Sequence, residues 1–134
     1  MNKISDIFFD LFGVLIDYKD GEIQSLSNIH LLNKLNKKYS LWIISNTSNK
    51  QINEVKNQFD FFYVFKGIIT SESAKYSKPD YRIFNYALNK ADANPYSSIF
   101  IDDSISNINS AKKLGFNTIY YHNNINLEYL INEE

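Results

Sequence analysis

Short apolar runs alternate along the chain with stretches in which apolar residues recur every three or four positions. The runs are Ile4–Phe9, Ser40–Ile44, Tyr63–Ile69, Ser98–Ile101 and Asn117–Tyr121, rich in Ile, Phe, Tyr and Val and without a clean apolar–polar alternation. A strand with one face in water alternates, whereas a strand buried on both faces does not. The intervening stretches have helical spacing. Ser27–Lys38 sets Leu31, Leu32 and Leu35 on one side, and Pro79–Lys90 does the same with Ile83, Phe84, Ala87 and Leu88. Ser104–Leu114 aligns Ile105, Ile108, Ala111 and Leu114 ahead of Gly115, a helix-stop residue. Ser48–Asn57 and Ile125–Asn132 are further helical segments, while YKDGEIQSL, between Asp17 and Ser27, reads as a loop. The βαβα succession predicts an α/β fold with a parallel sheet of about five strands and helices on both faces. No repeat, low-complexity tract or linker divides residues 1–134, so one domain is expected, long enough to bury its own core.

Composition removes several function classes. The formal net charge is −1, with 14 Lys and Arg against 15 Asp and Glu and no long basic run. That argues against nucleic acid as the main partner, because binding a phosphate backbone needs clustered cations. The absence of cysteine excludes disulfides and thiolate metal ligands. No apolar segment approaches the roughly 20 residues of a bilayer span. The first apolar run, broken by Asp6 and Asp10, is too short for a secretory leader. A cytoplasmic protein with no membrane partner is the expectation.

The candidate chemistry lies where the apolar runs end. In an open parallel sheet, ligands bind at the carboxyl ends of the strands. The first run ends at Asp10, the second at Ser45 and Asn46 in SNTSN, and the fourth at Asp102 and Asp103 in FIDDS. YSKPD places Lys78 before a helix expected to start at Pro79, a favoured first-turn residue. Singly, each has a plain reading: Ser45, Thr47, Asp103 or Ser104 as a helix cap, Lys78 as a solvated side chain, Asp10 as a loop residue. Converging on one edge, they form a site. Adjacent carboxylates repel unless a cation intervenes, and this oxygen-only set suits Mg²⁺. A carboxylate beside that metal can attack a phosphoryl group. Ser45 and Lys78 can neutralise the transferred oxygens.

These residues, in this order, resemble the haloacid dehalogenase superfamily of hydrolases. FFDLFGVL is similar to its first motif, Ser45 in IISNT to its second, Lys78 in SKPDYRIF to its third, and IFIDDSISNINSAKKLGF to its fourth. The resemblance implies a Rossmann-like three-layer core of strand order 5-4-1-2-3 and a Mg²⁺-dependent phosphatase working through an aspartyl-phosphate. By that likeness Asp10 is the nucleophile and a metal ligand. Ser45, Asn46 and Lys78 bind the phosphoryl group, and Asp102, Asp103 and the backbone carbonyl of Phe12 hold the metal.

Three departures stand out. Phosphatases of this group usually carry a second aspartate, a proton donor, two residues after the nucleophile; here that position is Phe12. A subgroup resembling sugar-phosphate phosphatases also lacks it, and dehalogenases carry an aromatic there, though without the paired aspartates. The glycine often found three residues before the motif lysine is Lys75. The helical cap that relatives insert after the first motif is missing. An open site is therefore expected, one that takes exposed phosphates on larger molecules or is covered by a second copy of the chain in a homo-oligomer. Two alternatives accompany the phosphatase reading: a phosphate- or partner-binding protein impaired in catalysis, and a 2-haloacid dehalogenase-type hydrolase. His30 and His122 read as surface and loop positions, and Trp42 as core.

Overall fold

The computed structural model describes residues 3–123 and 125–134. Five strands form its central sheet: β1 (Asp6–Phe9), β4 (Ser40–Ser45), β5 (Phe65–Thr70), β6 (Ser98–Asp102) and β7 (Asn117–Tyr120). They pair in the order β5-β4-β1-β6-β7, every pair parallel. Counted by chain order within this sheet and read from the β7 edge, that is 5-4-1-2-3, the order implied by the resemblance. β1 is central, and its side chains leave the sheet alternately. Ile7 and Phe9 enter one core with Leu32, Leu35, Ile52, Val55 and Leu127. Phe8 enters the other, with Ile83, Phe84, Ala87, Ile108 and Ala111. Two cores, one per face, explain why the strand sequences are apolar without alternating.

The helices are α1 (Leu32–Asn36), α2 (Asn49–Gln58), α3 (Ser71–Ala74), α4 (Tyr81–Ala91), α5 (Ile105–Lys113) and α6 (Leu127–Asn132). α1, α2 and α6 cover the first face, and α3, α4 and α5 the second. No helix among the described residues is long and apolar enough to cross a membrane.

Four expectations need correction. The predicted loop is an antiparallel hairpin, β2 (Ile16–Lys19) and β3 (Glu22–Ser25). Its turn is Asp20-Gly21, both at positive φ, a pair suited to two-residue hairpin turns. The helix predicted over Ser27–Lys38 divides into a 3₁₀ turn over Ser27–Leu31 and the short α1. The predicted strand from Tyr63 begins at Phe65, after a 3₁₀ turn over Phe61–Val64. α4 starts at Tyr81 rather than Pro79, with the Asp80 side chain accepting from the Arg82 N–H as its cap.

Trp42 is half-buried, stacked on Phe8, and its indole N–H donates to Asp6 at 2.8 Å. That bond accounts for the aspartate inside an apolar run. His30 is exposed, and so is His122, which stacks on Tyr120.

Candidate functional site

Parallel pairing of β1 with β4 and β6 brings three strand ends side by side. Asp10 follows β1 and donates its N–H to the Ile101 carbonyl at 2.8 Å. Ser45 ends β4 and Asp102 ends β6. Lys78 arrives from the segment between α3 and α4. Its Nζ lies 2.9 Å from Asp10 Oδ1, 2.9 Å from Asp102 Oδ2 and 2.8 Å from the Ile44 carbonyl. An ammonium has three N–H donors, and all three are used. These residues, with Phe12, Asn46, Thr47, Asp103, Ser104 and Asn107, line a cavity of about 180 Å³.

Two asparagines hold this arrangement. Asn46 Oδ1 accepts the Lys78 N–H at 2.8 Å while its Nδ2 donates to the Lys78 carbonyl at 3.0 Å. The side chain read in the sequence as a substrate contact is thus engaged with the lysine's backbone. Asn107, which sequence reasoning missed, is buried on α5 and donates to Asp102 Oδ2 at 3.1 Å. Asp102 Oδ1 accepts the Ser104 N–H at 2.9 Å, and the Ser104 side chain caps α5. α2 is capped by Ser48, not by Ser45 or Thr47. Ser45 Oγ makes no hydrogen bond among the described residues, and Thr47 Oγ1 is buried without a partner.

Burial pushes the Asp10 carboxyl up to about 8, against the pull of Lys78 and with a further push from Asp102. Burial also raises Asp103. Asp102 is buried too, yet the charge and hydrogen bonds of Lys78, with those of Ser104 and Asn107, leave it below the usual carboxylate range. Asp10, Asp102 and Asp103 each offer an oxygen, all within 4.8 Å of one another. Against these three carboxylates the cavity lining sets one cation, Lys78. With all three ionised, the excess of two negative charges fits a divalent, oxygen-seeking ion. Such a charge would reverse the push on Asp10.

Gly13 makes room for this cluster. Its φ is +89°, and a Cβ there would lie 2.1 Å from Asp103 Oδ2. The loop it belongs to turns back on Leu11, whose carbonyl accepts from Leu15 and Ile16 at 2.9 and 3.1 Å. The Phe12 carbonyl accepts no hydrogen bond among the described residues. The Phe12 ring stacks on Tyr18 of the hairpin, centroids 5.5 Å apart and planes 12° from parallel.

The sequence profile of the haloacid dehalogenase-like hydrolases matches residues 19–121, well over half of the chain. Among solved structures, an enzyme of that family from Bacteroides thetaiotaomicron, in complex with magnesium and inorganic phosphate, superposes with a TM-score of 0.84 at 19% identity. The match covers 95% of this chain and 98% of that one. A predicted family hydrolase from Porphyromonas gingivalis gives a TM-score of 0.82 at 19% identity, over 97% of both chains. A dehalogenase solved as an intermediate complex gives 0.83 at 16% identity, over 94% of this chain and 88% of that one. In sequence, 79 residues (59% of this chain) are 28% identical to drimenol cyclase from Aspergillus calidoustus. The match spans only 15% of that protein's length.

Proposed function

The chain belongs to the haloacid dehalogenase-like hydrolases, and on that footing we propose that it is a Mg²⁺-dependent phosphohydrolase acting through an aspartyl-phosphate on Asp10. One observation carries the reading. The Lys78 ammonium sits 2.9 Å from both Asp10 and Asp102 in the wall of the cavity that Ser45 and Asp103 also line. A nucleophilic carboxylate, a cation and an acidic cluster at one strand edge are what phosphoryl transfer requires. The magnesium and phosphate bound by the Bacteroides enzyme are consistent with that chemistry.

In the proposed reaction Asp10 Oδ2, the carboxylate oxygen that neither Lys78 nor the Leu11 N–H engages, forms a bond to phosphorus. The bond from phosphorus to the leaving oxygen breaks, and that oxygen departs with the electron pair. Ser45 Oγ donates to a phosphoryl oxygen. Lys78 acts by its charge and by fixing Asp10, since its three N–H groups are engaged. Water then attacks phosphorus, the bond to Asp10 breaks, and inorganic phosphate and the free carboxylate result. Mg²⁺, held by Asp10, Asp102, Asp103 and the Phe12 carbonyl, would neutralise charge on the transferred group. Phe12 has no proton to give, so an alkoxide leaving group takes one from water.

The substrate proposed is a phosphate on a small molecule, or one exposed on a larger one. Phe12 is also the observation favouring the dehalogenase alternative, and its lack of a proton favours the impaired-catalyst alternative. Rates on p-nitrophenyl phosphate and acetyl phosphate, with Mg²⁺ and with EDTA, test the proposal alongside halide release from a 2-haloacid. Mg²⁺-dependent phosphate release without halide release is expected. Halide release, or no turnover of any phosphate, would contradict it.

A further inference from the structure

Ten residues line the cavity that gathers Asp10, Lys78 and Asp102, and nine of them are polar. The exception is Phe12. It is half-buried against the core, and a backbone bridge to Ile16 brings it to the foot of the hairpin. There its ring stacks on Tyr18, which is 59% exposed. A lone exposed tyrosine needs no explanation. This one extends the aromatic surface of a cavity-lining residue out into solvent.

The cavity, about 180 Å³, is smaller than the roughly 300 Å³ at which sites that enclose a whole small ligand begin. A phosphoryl group and a cation take much of that space, so the rest of a substrate lies at the mouth. The apolar surface it meets on leaving the polar lining is the Phe12–Tyr18 pair.

The chemistry of the site narrows the substrate independently. Phe12 gives no proton, so the leaving oxygen does best to depart as a stable anion, with the electron pair of the P–O bond. A carboxylate does so, and so does a phenolate, whose parent phenol has a pKa of about 10. Of the two, the phenolate brings by its nature a ring that an aromatic pair favours.

We propose that Phe12 and Tyr18 form a leaving-group subsite for aryl phosphates, the phosphate esters of phenols. The phosphoryl group enters the polar cavity at Asp10, and the aryl ring packs against the exposed part of the aromatic pair. The inference rests on the phosphohydrolase reading for its substrate, but its test needs no turnover.

The test compares benzylphosphonate with cyclohexylmethylphosphonate by calorimetry in the presence of Mg²⁺. Both carry a methylene in place of the bridging oxygen, and neither can be hydrolysed. The saturated ring buries at least as much apolar area, so area alone does not favour the aryl compound. The wild type is expected to prefer the aryl compound by about three- to tenfold, the scale of an aromatic pair beyond its area. Phe12→Leu and Tyr18→Leu should each shrink that preference, and Phe12→Tyr, which keeps the ring, should retain it. Equal binding by the wild type, a preference for the saturated ring, no binding of either, or a preference untouched in both leucine variants would overturn the subsite. Turnover of acetyl phosphate alongside equal phosphonate binding removes the subsite and leaves the phosphohydrolase reading intact. An aryl preference without turnover of any phosphate keeps the subsite and overturns that reading instead.

Discussion

The floor and the rim of the cavity are built in opposite ways. On the floor the polar groups have partners. Lys78 matches three donors to three acceptors, Asp102 accepts from Lys78, Ser104 and Asn107, and Asn46 bonds the Lys78 backbone in both directions. Facing the floor, Asp103 is exposed, and Ser45, buried at the end of β4, leaves its Oγ without a partner among the described residues. Phe12 is held there by an aromatic stack on Tyr18. The contrast separates two tasks. The floor is fixed before a ligand arrives, as electrostatic preorganisation requires, and the rim is left for a ligand to complete.

Breaking the floor should have the largest effect. Lys78→Met leaves Asp10 and Asp102 facing each other in a buried site without their shared cation. Removing one partner from a buried ion pair typically costs about 3–5 kcal/mol. Urea denaturation of the metal-free variant at pH 7 should show a loss of that order. A loss no larger than at a surface lysine would mean that the floor is not preorganised by charge.

Changing the rim at Phe12 should act on rate rather than stability. General acid catalysis is worth about 10²–10⁴ in rate, or roughly 3–5 kcal/mol of barrier. Leaving groups that need a proton forgo this. The wild type should hydrolyse p-nitrophenyl phosphate far better than alkyl phosphates, and Phe12→Asp should narrow the gap by speeding the alkyl substrates. A wild-type rate independent of leaving-group pKa would show that another group supplies the proton.

A subtler change to the floor is Asn46→Ala, which removes both hydrogen bonds to the Lys78 backbone. Asn46 is exposed, so solvent can stand in for it in part, and such bonds are worth about 0.5–1.5 kcal/mol. Stability should fall by that amount, and kcat should fall more than KM rises if Asn46 positions Lys78. A rise in KM alone would return Asn46 to the substrate-contact role read from the sequence.

The pH dependence of metal binding gives a further test of the floor. Burial holds the Asp10 carboxyl up at about 8, so a cation binding it displaces a proton at lower pH. Mg²⁺ affinity should rise with pH by up to about tenfold per unit and level off above about 8. The same shift should make the metal-free fold less stable as pH rises from 3.8 towards about 8, because the unfolded chain releases that proton first. Calorimetry of Mg²⁺ binding at several pH values checks this, and a flat affinity would remove Asp10 from the metal site.

The sheet was legible in the sequence because strands buried on both faces leave continuous apolar runs, and the strand ends exposed Asp10, Ser45 and Asp102 as a set. The hairpin reads as a loop in the sequence although Asp20-Gly21 carries its turn signal, because only Ile16 and Ile23 supply its inward face. α3, four residues long, is too short to show a period. The roles of Asn46 and Asn107 were hidden for another reason. An asparagine's partner is set by the fold, and the Lys78 that Asn46 holds lies 32 residues away.

The central claim is that Asp10 becomes phosphorylated, and acid-quenched mass spectrometry of the protein mixed with acetyl phosphate and Mg²⁺ tests it most directly. The account predicts an 80-dalton adduct (the mass of HPO₃, on the order of one phosphoryl group) on the peptide containing Asp10. The adduct should be absent with EDTA and absent in Asp10→Asn. An adduct on another residue, or phosphate release from Asp10→Asn at the wild-type rate, would contradict the account.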